Sequence, residues 1–253
     1  MYYMKNKLFK ILFCISISVF FIAAAFFGVY AYRNYIKNPP KSTVTVSEPS
    51  VSSEVELPDN PIDFKKLKKK NSDIYAWIKI PGTSVDYAVL QSYADDDNFY
   101  LNHDEDKNWS AYGSIYTQRA NSTDFSDRNT VIYGHNMLNG SMFASLHKFR
   151  EKEFFDENKY IYIYTPNHIL KYKIFAAYKY DDRHILNSFD FDDDKVWREY
   201  LDFVENPKSV IKNTRDVELK LTDKIITLST CIGNEDTARY LVQGVLIKDV
   251  ETK

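Results

Sequence analysis

The stretch KIITLSTC, Lys224 to Cys231, followed closely by ARYLVQGVLI, Ala238 to Ile247, decides how this chain reads. Both runs are short, apolar, rich in Ile, Leu and Val, and separated by turn residues, which is the pattern of two successive strands. If they pair antiparallel, Cys231 and Arg239, eight positions apart, meet at one end of the sheet. A guanidinium placed there can donate to a developing oxyanion or hold a peptide carbonyl. Taken alone, such an arginine would be an ordinary strand-edge residue in solvent.

Cysteine usage sharpens the reading. The chain has two cysteines, and Cys14 lies in a hydrophobic N-terminal run, so Cys231 is the sole thiol of the remainder. A disulfide framework and a CxxC zinc site are both excluded. A lone cysteine with a histidine elsewhere is a candidate nucleophile, although free cysteine often serves as a buried small hydrophobe. Of five histidines, His135 stands apart: it follows Gly134 at the end of the apolar run TVIYGHN, Thr130 to Asn136, and precedes a helical pattern. That puts it on a loop at the rim of the core, where catalytic groups tend to sit. His103, His147, His168 and His184 lack this setting, and His147 falls within the helix pattern as a structural or solvated residue.

Working outward, strands are predicted in IYAWIKI from Ile74, SVDYAVLQ from Ser84, YGSIYTQ from Tyr112, TVIYG from Thr130, YIYIYT from Tyr160, ILKYKIFAAYKY from Ile169 and VELKL from Val217. With the two late strands they make nine, the pattern of an all-β barrel or sandwich. Helices are expected at DFKKLKKKNS (Asp63 to Ser72), SMFASLHKF (Ser141 to Phe149) and DDDKVWREYLDFVEN (Asp192 to Asn206). In the last, Val196, Trp197, Tyr200, Leu201 and Val204 follow helical spacing, and Asp192 to Asp194 suit its N-terminus. The lysines of the first helix read as a solvated face.

Residues 11–32 carry no charged side chain and are long enough to cross a bilayer. Lys5, Lys7 and Lys10 precede them, so the expected order is a cytoplasmic tail (1–10), a transmembrane anchor (11–32), an extracellular linker (33–60) and a domain (61–253) outside the cell. The run is long for a cleaved signal peptide. A net charge of −2 and the lack of interleaved basic and aromatic residues imply no nucleic-acid partner. Asp104, Asp106 and Asn108 match the first ligands of an EF-hand loop, but Trp109 takes the glycine position and Ile115 the bidentate glutamate position. Neither a metal nor a cofactor is therefore expected.

TLSTC at Thr227–Cys231, the downstream Arg239 and the upstream YGH at Tyr133–His135 together resemble a sortase. DIYAWIKIPGTSVDYAVLQ, from Asp73, is similar to the start of the sortase domain. NFYLNHD, from Asn98, followed by YGSIYTQ, and the helix at 192–206 resemble the class B branch. The resemblance spans residues 61–248 and implies a mainly β fold: a closed eight-stranded barrel with peripheral helices, behind one N-terminal transmembrane helix. It implies Cys231 as nucleophile, His135 as acid/base and Arg239 as stabiliser of substrate and oxyanion, with Leu101, Tyr133 and Ser229 walling the peptide groove. It further implies a surface transpeptidase of Gram-positive type. Such an enzyme cleaves a C-terminal sorting signal of secreted proteins, in class B an Asn-Pro-X-Thr-Asn-like motif, and passes the acyl group to an amine of the peptidoglycan precursor. A thiol hydrolase on the same scaffold and a wall- or peptide-binding module are the alternatives. Two departures are visible. Ile232 stands where some class B relatives have an acidic residue, and the segment from Cys231 to Arg239 is shorter than in several of them.

Overall fold

Strands β8 (Ile225–Ile232) and β9 (Glu235–Glu251) pair antiparallel, and Cys231 lies directly opposite Arg239. The computed structural model describes residues 57–233 and 235–253. Around this pair the chain builds β1 (Ile74–Lys79), β2 (Asp86–Leu90), β3 (Ile115–Tyr116), β4 (Asn129–Tyr133), β5 (Tyr160–Tyr164), β6 (His168–Asp181) and β7 (Lys212–Thr214). The sheet runs β5-β1-β2-β3-β4-β8-β9-β6, and β5 also pairs with β6, so eight strands close into a barrel. The 14-residue β6 makes closure possible. Its first half holds β5 on one edge, its second half holds the short β7, and β9 runs along the other edge throughout. Irregularities at Lys171/Tyr172 and Ile174/Ala176 bend the β6–β9 ribbon as closure requires.

β8 and β9 read as unbroken apolar runs because both of their faces are covered. Ile226, Leu228, Tyr240 and Val242 point into the barrel core with Ile78, Val89, Ile132, Ile161 and Ile174. Ile225, Leu241 and Val245 face outward into a second cluster with Trp197, Tyr200, Leu201 and Val204 of a helix. Among the described residues the helices are α1 (Phe64–Lys70), α2 (Lys152–Glu157), α3 (Ile185–Ser188) and α4 (Asp194–Glu205), and two 3-10 turns lie at Phe99–Leu101 and Ala144–Arg150. α4 is started by Asp193, whose carboxylate accepts from the backbone N–H of Lys195 and Val196 at 2.7 and 3.2 Å.

Several expectations change. VELKL is not a strand: Leu219 is buried under α4, its N–H donates to Glu205 and its carbonyl accepts from Arg198. Helix side chains thus supply the backbone partners that a ladder would have supplied. The ninth strand is instead β7, a three-residue stretch with no apolar signal. The helix expected from Ser141 is a 3-10 turn at Ala144–Arg150, with a true helix only from Lys152. Residues 57–60, read as linker, dock on the domain: Asn60 donates to the Thr165 carbonyl at 2.7 Å and Lys253 N–H to the Pro58 carbonyl at 3.1 Å. The expected anchor at 11–32 lies outside the described residues, and no helix within them is long and apolar enough to cross a membrane.

Between barrel and α4 lies a polar weld. Gln243, wholly buried, donates to Thr227 Oγ1 at 2.8 Å and the Tyr200 hydroxyl at 3.1 Å, and accepts from the Tyr178 hydroxyl at 3.0 Å. Thr227 in turn donates to Asn129 at 2.8 Å. The network ties β4, β6, β8, β9 and α4 together four residues before Cys231. Gln243→Leu keeps the volume but strands several buried hydroxyls, so it is expected to cost about 2–4 kcal/mol of stability. Chemical denaturation followed by fluorescence measures this, and a loss below about 0.5 kcal/mol would show that the network carries little.

Candidate active site

Every residue of β8 is buried except Cys231. Its side chain lies on the outward face with Thr227 and Ser229, by the period of two, at the end that α4 leaves uncovered. The thiol is exposed, which a nucleophile needs and a packing cysteine does not. A cavity of about 260 Å³ opens there. It is lined by Cys231, Arg239 and His135, and also by Leu101, Tyr133 and Ser229, so all six singled-out residues border one space.

His135 reaches this space because β4 ends just before it. Gly134 N–H donates to the Ser229 carbonyl at 3.2 Å, the last rung of the parallel β4–β8 ladder. A Cβ on Gly134 would fall 2.5 Å from Ile115 and 2.8 Å from Phe143, so only glycine lets the chain leave the barrel here. The His135 ring is then fixed by the Leu101 carbonyl, 2.7 Å from Nε2. A carbonyl only accepts, so Nε2 carries a proton and Nδ1 keeps the lone pair of the neutral ring. The backbone of Gly113, at φ +54°, passes so close to the Leu101 carbonyl that any Cβ there would meet its oxygen at 2.3 Å. Leu101 therefore both walls the cavity and orients the histidine; its side chain is exposed, which sets aside a core role.

Arg239 is half-buried, and one of its Nη groups donates to the Ala238 carbonyl at 3.0 Å. Tyr133 is half-buried against the rings of Tyr116 and His184 at 5.5 and 6.4 Å. Burial holds the Tyr116 and Tyr133 hydroxyls well above their ordinary pKa, so both stay protonated, and that of Tyr180 is pushed up to about 12. Ser229 is buried one pleat below Cys231.

The opposite wall contains residues that the sequence did not single out. Asn98 accepts from Gln118 at 2.8 Å and from the Tyr116 hydroxyl at 3.3 Å, and His184 Nε2 donates to Gln118 at 2.6 Å. His184 Nδ1 accepts from the Asn187 N–H, so both ring nitrogens are engaged and the ring is fixed in the wall, beside the apolar Ile185. Nothing in the spacing of Asn98, Gln118 and His184 signals this, since three separate loops bring them together. His147 also gains a place, for its Nε2 lies 3.0 Å from the Cys231 carbonyl oxygen. His103 and His168 lie elsewhere, the first stacked on Phe99 and the second bonded to Asp249. Asp104 accepts from the N–H groups of Asp106 and Asn108, and Lys70 pairs with Glu105 and Asp106; no metal-binding cluster occurs among the described residues.

A sortase-domain family model matches residues 78–247. Sortase B of Listeria monocytogenes is 31% identical over 249 residues, covering 96% of this chain and 98% of that protein. The solved Clostridium perfringens sortase B is 34% identical and superimposes with a TM-score of 0.66, over 74% of this chain and all of that one. A Staphylococcus aureus sortase B–substrate complex is 33% identical with a TM-score of 0.65, over 73% of this chain and 84% of that one. The barrel, the cavity and these likenesses converge: the chain belongs to the sortase family, in its class B branch, and is a cysteine transpeptidase.

Proposed function

We propose that this enzyme stands outside the cell on an N-terminal membrane anchor and joins secreted proteins to the cell wall. It would cleave a C-terminal sorting signal through a thioester on Cys231 and pass the acyl group to an amine of the peptidoglycan precursor. The observation that carries the reading is the juxtaposition of Cys231 and Arg239 across one rung of β8–β9, with His135 on the same cavity. The uncharged run at 11–32 and the lysines before it support the anchor and its orientation.

In this reading the Cys231 thiol passes its proton to Nδ1 of His135, and the resulting thiolate attacks the carbonyl carbon of the scissile peptide bond, forming a C–S bond. The carbonyl oxygen becomes an oxyanion, and the planar fork of Arg239 donates to it. As the C–N bond breaks, the leaving amine takes a proton from His135, with Nδ1 as the transferring atom because Nε2 is held by Leu101. An incoming amine then attacks the thioester, yields its proton back to His135, and the C–S bond breaks to restore the thiolate. The new amide forms at the expense of the old one, and no ATP is needed. Leu101, Tyr133 and Ser229 would wall the groove that holds the signal, since all three border the cavity of Cys231. That the S. aureus sortase B forms a complex with its substrate on a similar barrel supports a peptide-binding role for this groove.

The test is the full chain in detergent, incubated with peptides built on Asn-Pro-X-Thr-Asn, with and without an oligoglycine amine, and read by mass spectrometry. A thioester on Cys231 that converts to an amide when amine is added is the expected result. Cleavage at the same rate and to the same acid product whether or not amine is present would favour a hydrolase and remove the wall-transfer step.

A further inference from the structure

The carbonyls of Ser229 and Cys231 point to the same edge of β8, because strand geometry repeats every two residues. On that edge the neighbour is β4. The Ser229 carbonyl takes its hydrogen bond from Gly134, but β4 then turns away at His135, and the next rung is vacant of backbone. His147 fills it. Its Nε2 lies 3.0 Å from the Cys231 carbonyl oxygen, and since a carbonyl only accepts, Nε2 carries the proton.

His147 sits in the 3-10 turn that follows the His135 loop, and the same short segment grips the other catalytic candidate. Phe143 N–H donates to the His135 carbonyl at 2.9 Å. Thus Phe143 and His147 bind the main chains of His135 and of Cys231 from one rigid turn, independently of the barrel ladder. The His147 ring is itself held against Tyr240, 4.9 Å away, and Arg150 covers the other part of that tyrosine at 5.2 Å. His147 Nδ1 is buried without a hydrogen-bond partner. In the neutral Nε2–H tautomer this orphan is a lone pair, a smaller penalty than an orphaned N–H. Burial and the Arg150 charge hold the imidazole below its ordinary pKa, so the neutral form persists.

We propose that His147 is a positioning residue for catalysis: by donating to the Cys231 carbonyl it replaces the missing β4 rung and fixes the nucleophile relative to His135. The inference rests on the reading of Cys231 as nucleophile. It goes beyond the three residues of the motif, because His147 touches neither the thiol nor the substrate space. A frayed strand end would let Sγ drift by a fraction of an ångström, and misplacement on that scale slows a reaction by roughly 10- to 100-fold.

Three variants of the full chain separate the cases. His147→Phe keeps an aromatic ring on Tyr240 and removes the donor; His147→Gln restores an amide donor near the Nε2 position; Cys231→Ala reports on the underlying reading. Acyl-enzyme formation with the Asn-Pro-X-Thr-Asn peptides is followed by rapid-quench mass spectrometry, alongside thermal melts. We expect kcat for acylation to fall roughly 10- to 100-fold in His147→Phe with KM unchanged, and to recover to within about threefold in His147→Gln. Wild-type kcat in His147→Phe overturns the inference. Equal loss in both variants with lowered melting temperatures also overturns it, by showing that the ring only packs. Acylation that survives Cys231→Ala would instead remove the reading on which the inference stands.

Discussion

Cys231→Ala is expected to abolish acyl-enzyme formation and to lower turnover by on the order of 10⁴-fold or more, while leaving the fold untouched. Both halves follow from one observation. Cys231 is the single exposed position of β8, so deleting its sulfur opens no cavity in the core and removes no packed surface. The backbone it leaves behind still pairs with Arg239 and still presents its carbonyl to His147. The melting curve should therefore superimpose on that of the parent within about 0.5 kcal/mol. Mass spectrometry after incubation with peptide should show no adduct. Retained turnover would show that another group attacks the carbonyl. A destabilised fold with activity lost in proportion would make Cys231 a structural residue, against its exposure.

What was legible in the sequence follows a physical rule. The residues that could be read are those whose positions depend on strand order and on nearby chain positions. Cys231 and Arg239 face each other because two adjacent strands joined by a tight connection have little choice but to pair. His135 was legible because Gly134 marks a place where only a bare backbone fits, at the exit of an apolar strand. β8 and β9 could be read because both of their faces are covered and their apolar runs are unbroken, whereas the closed set of eight strands came with the family resemblance and not with the nine runs of the pattern. VELKL misled for the converse reason. Its alternation is that of a half-buried strand, yet its buried side faces α4 and its backbone is bonded by Glu205 and Arg198, which no local pattern announces. β7 escaped because its partner does all the packing; Asn213 donates to the carbonyls of Phe149 and Arg150, an interaction set by tertiary approach. The far wall of the cavity was hidden for the same reason, since Asn98, Gln118 and His184 meet from three loops. His147 carried a helix-like pattern that pointed to packing, and its bond to the Cys231 carbonyl spans 84 positions of chain.

Arg239→Lys tests whether charge or geometry operates at the far side of the cavity. Both side chains are cations, so any general field favouring the thiolate is largely kept. What changes is direction: the guanidinium is a planar fork whose donors point in fixed directions, whereas an ammonium is a strongly hydrated point on a flexible stem. In this enzyme one Nη of Arg239 donates to the Ala238 carbonyl, which helps to fix the plane of the fork opposite Cys231. A lysine cannot be held in this way and still present donors toward the oxyanion. The expected result is a fall in acylation rate of roughly 10²–10³-fold, the cost of losing a preorganised donor at a developing negative charge. Alkylation of Cys231 by iodoacetamide should meanwhile stay within about threefold of the parent, because that reaction needs the thiolate but builds no oxyanion. The two rates together decide the role. If both fall equally, Arg239 acts on the thiol and the field is the larger part. If neither falls, the fork is dispensable and Arg239 leaves the mechanism. If only acylation falls, the arginine acts where the carbonyl oxygen becomes charged, which is what its place across the rung from Cys231 suits it to do.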